Sequence, residues 1–190
     1  MAKLVGKIYY QSHSATPTVI GDFERMKSWP GEPDGEAEGP LELGDGHVFG
    51  FTAFDLASPF LFVEDDVRVT LLVPEGSYGR SVEPPEGDLL RRLLDDASED
   101  GETTEIGCPS GALVITVAYN ATPAEGADTS DLDERCVHDE VPRLPMAPPE
   151  EATYAKECAI VPVRPGTYAV VVDELHGYER CQLVWLRPSE

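Results

Sequence analysis

Outside its carboxylates, the chain has few side chains able to do chemistry: four cysteines (Cys108, Cys136, Cys158, Cys181) and four histidines (His13, His47, His138, His176). The densest grouping is Cys136-Val137-His138-Asp139-Glu140, which places a thiol, an imidazole and two carboxylates within five residues. A tetrahedral metal site would need Cys158, Cys181 or His176 to complete it. The paired CxxC or HxxxH spacing that marks structural zinc is absent, so the segment reads as a free thiol beside an exposed histidine. No metal and no other cofactor is expected. Nucleophilic catalysis would need a Ser or Cys presented beside a histidine. No GxSxG elbow occurs, and Pro109-Ser110-Gly111 reads as a turn before a strand. With 36 Asp and Glu in 190 residues, carboxylate pairs at acid–base spacing arise by chance and single out no glycosidase-like site. Gly31, Gly35, Gly39, Gly44 and Gly46 lie among acids and before a strand, the reverse of the order that cradles phosphate. No catalytic residue is assigned, and the chain reads as a binding protein and not an enzyme.

The acidity itself is the strongest feature. Fourteen Lys and Arg against 36 Asp and Glu give a formal charge of −22, which repels phosphate and excludes direct nucleic-acid binding. No apolar run approaches the roughly 18 residues of a membrane span. The start, Met1 to Tyr10, alternates polar with apolar and lacks the continuous apolar stretch of a secretory signal. A cytoplasmic protein with reduced thiols is expected.

Three segments hold much of the charge: 22–45, 83–105 with nine acids against Arg91 and Arg92, and 125–140 with seven acids against Arg135. The last lies in a long connection, 120–157, that also contains Pro142, Pro145, Pro148 and Pro149 and reads as a solvated, partly mobile surface loop. Such charge reflects solubility, high-salt adaptation or attraction to a basic partner. Four lysines against ten arginines do not decide between them. On the third reading the partner is a basic protein, such as a nuclease or toxin, and the docking acids are Asp128, Asp131, Asp133, Glu134, Asp139 and Glu140. Trp29, between Ser28 and Pro30 in an acidic loop, and Tyr154 are candidate aromatic anchors. Trp185, in the last apolar run, reads as core. Two alternatives stand beside this reading: a structural or small-ligand-binding β-sandwich, and a metal-dependent enzyme around Cys136 and His138.

The elements that would position these residues are mostly strands, because period-two alternation recurs between clusters of Gly, Pro and acids. Strands are expected over 3–11, with Leu4, Ile8 and Tyr10 on one face, and over 47–54, with Phe49 and Phe51 sharing a face. A short apolar run at 59–63 follows. The segment 66–73 points Val67, Val69, Leu71 and Val73 one way, and 111–119 does the same with Leu113, Ile115 and Val117. Near the end, 158–163 and 167–172 read as a hairpin closed by a type II turn at Pro165-Gly166, followed by a strand at 181–186. Pro162 lacks an amide proton and implies an edge or a bulge. The strand around Tyr168 is apolar on both faces and should lie centrally. One helix is expected over 87–97, where Leu89, Leu90, Leu93, Leu94 and Ala97 share a face, with weaker helical character over 21–28. The sum is one all-β domain spanning 1–190, mainly antiparallel, a β-sandwich or open barrel with one short helix.

Ile8-Tyr9-Tyr10-Gln11, then Trp29 followed by Gly46-His47-Val48-Phe49-Gly50-Phe51, and late Val161-Pro162-Val163-Arg164-Pro165-Gly166-Thr167-Tyr168 before a last strand, form a layout that resembles the competence-protein-J-like nuclease inhibitors. The resemblance covers the two ends of the chain and not its middle. It implies a small β-rich fold and inhibition of a DNA-entry nuclease, and it carries no individual inhibitory residue across.

Overall fold

The computed structural model describes residues 2–8, 17–32, 37–52, 58–64, 68–74, 83–95, 102–137, 143–155, 157–175 and 181–189. Among the described residues, twelve strands form two six-stranded antiparallel sheets. The first sheet contains β1 (Lys3–Lys7), β5 (Phe60–Glu64), β6 (Arg68–Pro74), β7 (Glu102–Cys108), β11 (Gly166–Leu175) and β12 (Cys181–Pro188), in the order β1-β5-β6-β12-β11-β7. The second contains β2 (Thr18–Asp22), β3 (Gly39–Leu43), β4 (Gly46–Phe51), β8 (Ala112–Val117), β9 (Thr153–Ala155) and β10 (Cys158–Pro162), in the order β3-β4-β2-β8-β10-β9. Both sheets are open. A four-residue helix α1 (Phe23–Met26) follows β2, and the longer α2 (Gly87–Asp95) stands where the leucine periodicity places it.

The core between the sheets is built by the alternation itself. Val69, Leu71 and Val73 of β6 meet Leu113, Ile115 and Val117 of β8, together with Phe49, Phe51, Tyr168 and Val170, all buried. Thr70 and Leu72 point to the other face of the first sheet. There Leu72 packs with Phe60, Phe62 and Val171 beneath Leu90 and Leu93 of α2. β11 is therefore covered on both faces, as its unbroken apolar run requires. β9 ends opposite Ile160, so Pro162 sits where β10 has only β8 beside it and no ladder hydrogen bond is lost.

Two expectations are corrected. β10 and β11 are not a hairpin, because β10 lies in the second sheet and β11 in the first. The chain steps between the layers at 163–165, where the Val163 N–H donates to Gly111 O at 2.9 Å and the Tyr168 hydroxyl donates to Arg164 O at 2.7 Å. Gly166 is not among the positive-φ glycines and already pairs with Cys108 of β7, so it is the first residue of a strand and not the third of a type II turn. The hairpin in this region is β11–β12, with Val171 opposite Trp185. In β1, the register shifts between Leu4 and Gly6. That bulge turns Val5 toward the core beside Ile8 and leaves Leu4 exposed, breaking the shared face that simple alternation gives Leu4 and Ile8.

Candidate functional site

The second sheet has a covered outer face, and what covers it is the acidic sequence. Val19, Val48, Val114, Cys158 and Ile160 point outward from their strands and are buried under Phe23 and Met26 of α1, Trp29, Ala37 and Leu144. Asp22 starts this cover. Its Oδ2 accepts from the Glu24 and Arg25 N–H groups at 3.1 and 3.3 Å, capping α1, and its Oδ1 accepts from the Ser110 N–H at 2.9 Å. One buried carboxylate thus ties α1 to the turn between β7 and β8.

The connection 120–157 is pinned at 120–125, at 136, at 144 and at 157, while its described stretch 125–135 holds no buried residue. Asn120 and Glu157, its first and last residues, meet in a buried hydrogen bond from Asn120 Nδ2 to Glu157 Oε2 at 2.7 Å. Thr122 donates its N–H to Trp29 O at 3.2 Å and its hydroxyl to Met26 O, and the Ala121 N–H donates to Cys136 O at 2.8 Å. A parallel bridge joins Ala124 to Leu144, and a 3₁₀ turn at Glu134–Cys136 brings the Cys136 thiol inward. The isolated apolar residues of an acidic stretch, Ala121, Cys136 and Leu144, are its pins. Gly31 lies beneath Cys136 at φ +83°, with no space for a Cβ.

Of the residues expected to dock a partner, Asp128, Asp131, Asp133 and Glu134 are exposed on this anchored segment. Asp128 accepts from the Ser130 N–H at 3.0 Å, and that backbone hydrogen bond holds its carboxyl below the usual range. Asp133 is also held low, first by the Arg135 guanidinium, whose Nη2 lies 2.8 Å from Oδ2, and then by the Arg135 N–H. Both stay ionised at neutral pH, but Arg135 offsets the charge of Asp133. Asp139 and Glu140 lie outside the described residues, as do His138 and the Trp185 side chain.

Trp29 is a correction. It is 6% exposed, and its indole N–H donates to Ala118 O at 3.0 Å, so it belongs to the outer core and offers no face to a partner. Tyr154 is half-buried, its ring over Gly6 and its hydroxyl donating to Lys7 O, where it bridges the two sheets.

The chain matches no protein-family model, no curated protein and no solved structure. Among the described residues no helix is long and apolar enough to cross a membrane, and no group of three metal-ligating side chains comes together. Cys136 is buried against Gly31.

The thiols make this packing testable. Burial and then the charge of Asp22 push the Cys108 thiol up to about 12, and burial alone pushes Cys158 up to about 12. Only about one thiol in ten thousand is then ionised at pH 8. At pH 8 the native protein is expected to give Ellman's reagent no fast reaction at Cys108, Cys136 or Cys158, so at most one of four thiols, Cys181, titrates promptly, against all four in denaturant. A second fast thiol, mapped by mass spectrometry to Cys136 or Cys158, would show that the connection does not stay closed over the sheet.

Proposed function

We propose that the chain is an acidic binding protein, of the inhibitor or immunity type, that docks on a basic protein partner and blocks it. The observation that carries this reading is the anchored connection. Its described acids stand exposed on a stretch, 125–135, that is held at both ends by the buried Ala121 and Cys136, which limits the conformational entropy lost when a partner orders them. A net charge of −22 adds long-range attraction that raises the association rate, although screening confines each charge to roughly 8 Å at physiological salt. A protein that normally holds phosphates presents the matching basic surface. The resemblance of the two chain ends to the competence-protein-J-like inhibitors favours a nuclease as that partner.

The test is capture with the tagged full chain from lysate of its source organism at low and at high salt, followed by assay of the captured protein's nuclease activity with and without the chain. A basic partner, released by salt and inhibited stoichiometrically, is the expected result. No salt-sensitive partner, or one whose activity is untouched, overturns the reading. With that partner in hand, Asp128, Asp131, Asp133, Glu134, Asp139 and Glu140 replaced together by Asn or Gln should lower the association rate roughly tenfold or more and flatten its salt dependence. An unchanged rate in surface plasmon resonance would remove the connection from the interface.

A further inference from the structure

α2 is amphipathic, yet none of its residues is buried. Leu90 and Leu93 rest on the outer face of the first sheet, and beside them the helix stands off from the sheet over a groove of about 1040 Å³ that is open to solvent. Its apolar lining includes Leu4, Pro84, Pro85, Leu90 and Leu94, over the buried Phe62. Leu4 is 41% exposed, one of two large apolar side chains so open among the described residues, and the β1 bulge is what turns it there. A volume at the top of the roughly 300–1,000 Å³ range for small-molecule pockets, in a site that does not close over its contents, suits a chain segment better than an enclosed ligand.

The charges around the rim say which segment. Arg91 pairs with Asp88 at 3.1 Å, and Arg68 stands opposite Glu64 in the β5–β6 ladder. Among the described residues, that leaves Glu86 just before α2 and Asp95 at its end as rim acids, about 13 Å apart, since α2 itself is about 12 Å long at the helical rise. A fatty acid or an anionic lipid surface would bring negative charge to negative charge, and a second copy of this chain would bring another −22. We propose that this groove is a docking site for an apolar protein segment flanked by Lys or Arg, its apolar side chains against Leu4, Leu90 and Leu94 and its cations on Glu86 and Asp95. Two cations 13 Å apart correspond to about four residues of extended chain or about nine of helix. The proposal rests on the reading that the partner is basic, but it needs no part of the connection.

The experiment is selection of a random dodecapeptide display library on the full chain, with the enriched peptides measured by fluorescence anisotropy at low salt. Three variants are compared: Glu86→Lys with Asp95→Lys, Leu4→Glu alone, and a connection variant with Asp128, Asp131 and Asp133 changed to Asn and Glu134 to Gln. All of these positions are exposed, so the fold should survive each change. The expected peptides carry apolar residues between two cations, lose at least tenfold affinity on both groove variants and stay within twofold on the connection variant. Failure to enrich any sequence, enrichment of neutral or acidic peptides, or equal losses on the groove and connection variants would overturn the proposal. Losses confined to the connection variant would also overturn it while leaving the connection as the docking surface. A dimer of the parent chain in sedimentation that Leu4→Glu dissolves would give the groove to a second copy, again overturning it.

Discussion

Trp29→Ala is expected to lower folding stability by about 3–5 kcal/mol, the range for removing a large buried aromatic side chain. The indole fills the space between α1, the end of β8 and the start of the connection, so truncation leaves a cavity that neither the sheet nor the pinned segment can collapse into. Trp29→Phe separates packing from hydrogen bonding. Most of the buried area returns, and Ala118 O keeps the Glu32 N–H at 2.7 Å, so a loss of about 1 kcal/mol is expected for the missing indole donor. Urea unfolding with an unchanged slope measures both. At a slope of about 2 kcal/mol per molar, the alanine variant should lose more than 1 M in midpoint. A surface anchor would behave otherwise, since truncating an exposed side chain changes stability by about 0.5 kcal/mol or less. A near-neutral Trp29→Ala would return this residue to the docking surface.

The second large effect is at Asp22. Asp22→Ala removes the cap of α1, worth about 1 kcal/mol, and strands the half-buried Ser110 N–H, which costs about 1–3 kcal/mol more. The total expected is about 2–4 kcal/mol. Asp22→Asn keeps one carbonyl oxygen as an acceptor but sets an amide NH₂ against the remaining donors, so it should fall between the alanine variant and the parent. Thermal unfolding of the three proteins gives the ranking. Equal stability of parent and alanine variant would mean that the tie between α1 and the β7–β8 turn carries no load.

The inner core was legible because its strands alternate: Val69, Leu71 and Val73, and Leu113, Ile115 and Val117, each point one way in sequence and in space. β8 also carried a second message. Its run Ala112 to Ile115 is apolar on both faces, as a strand with a covered outer side must be. The cover was hard to see, because Trp29, Cys136 and Leu144 are single apolar residues spread through polar, acidic sequence, and no periodicity links them. Alternation likewise says which face a side chain takes but not which sheet its strand joins, so β10 and β11 read as a hairpin. Among the candidate docking residues, the exposure of Asp128, Asp131, Asp133 and Glu134 follows from their charge. The burial of Trp29 follows from tertiary contacts with residues about 90 positions away, which local composition does not report.

The place of β12 in the first sheet bears on the order in which the chain can fold as it is made. β12 lies between β6 and β11, with Leu71 opposite Val184 on one side and Val171 opposite Trp185 on the other. Before residues 181–188 leave the ribosome, the sheet exists only as two halves, β1-β5-β6 and β11-β7, each with an open strand edge. Those edges are apolar and unprotected, the kind that pairs with other chains. A ribosome stalled before β12 would therefore release an aggregation-prone fragment and not a smaller version of the domain, and the closing strand also separates solubility from collapse during synthesis.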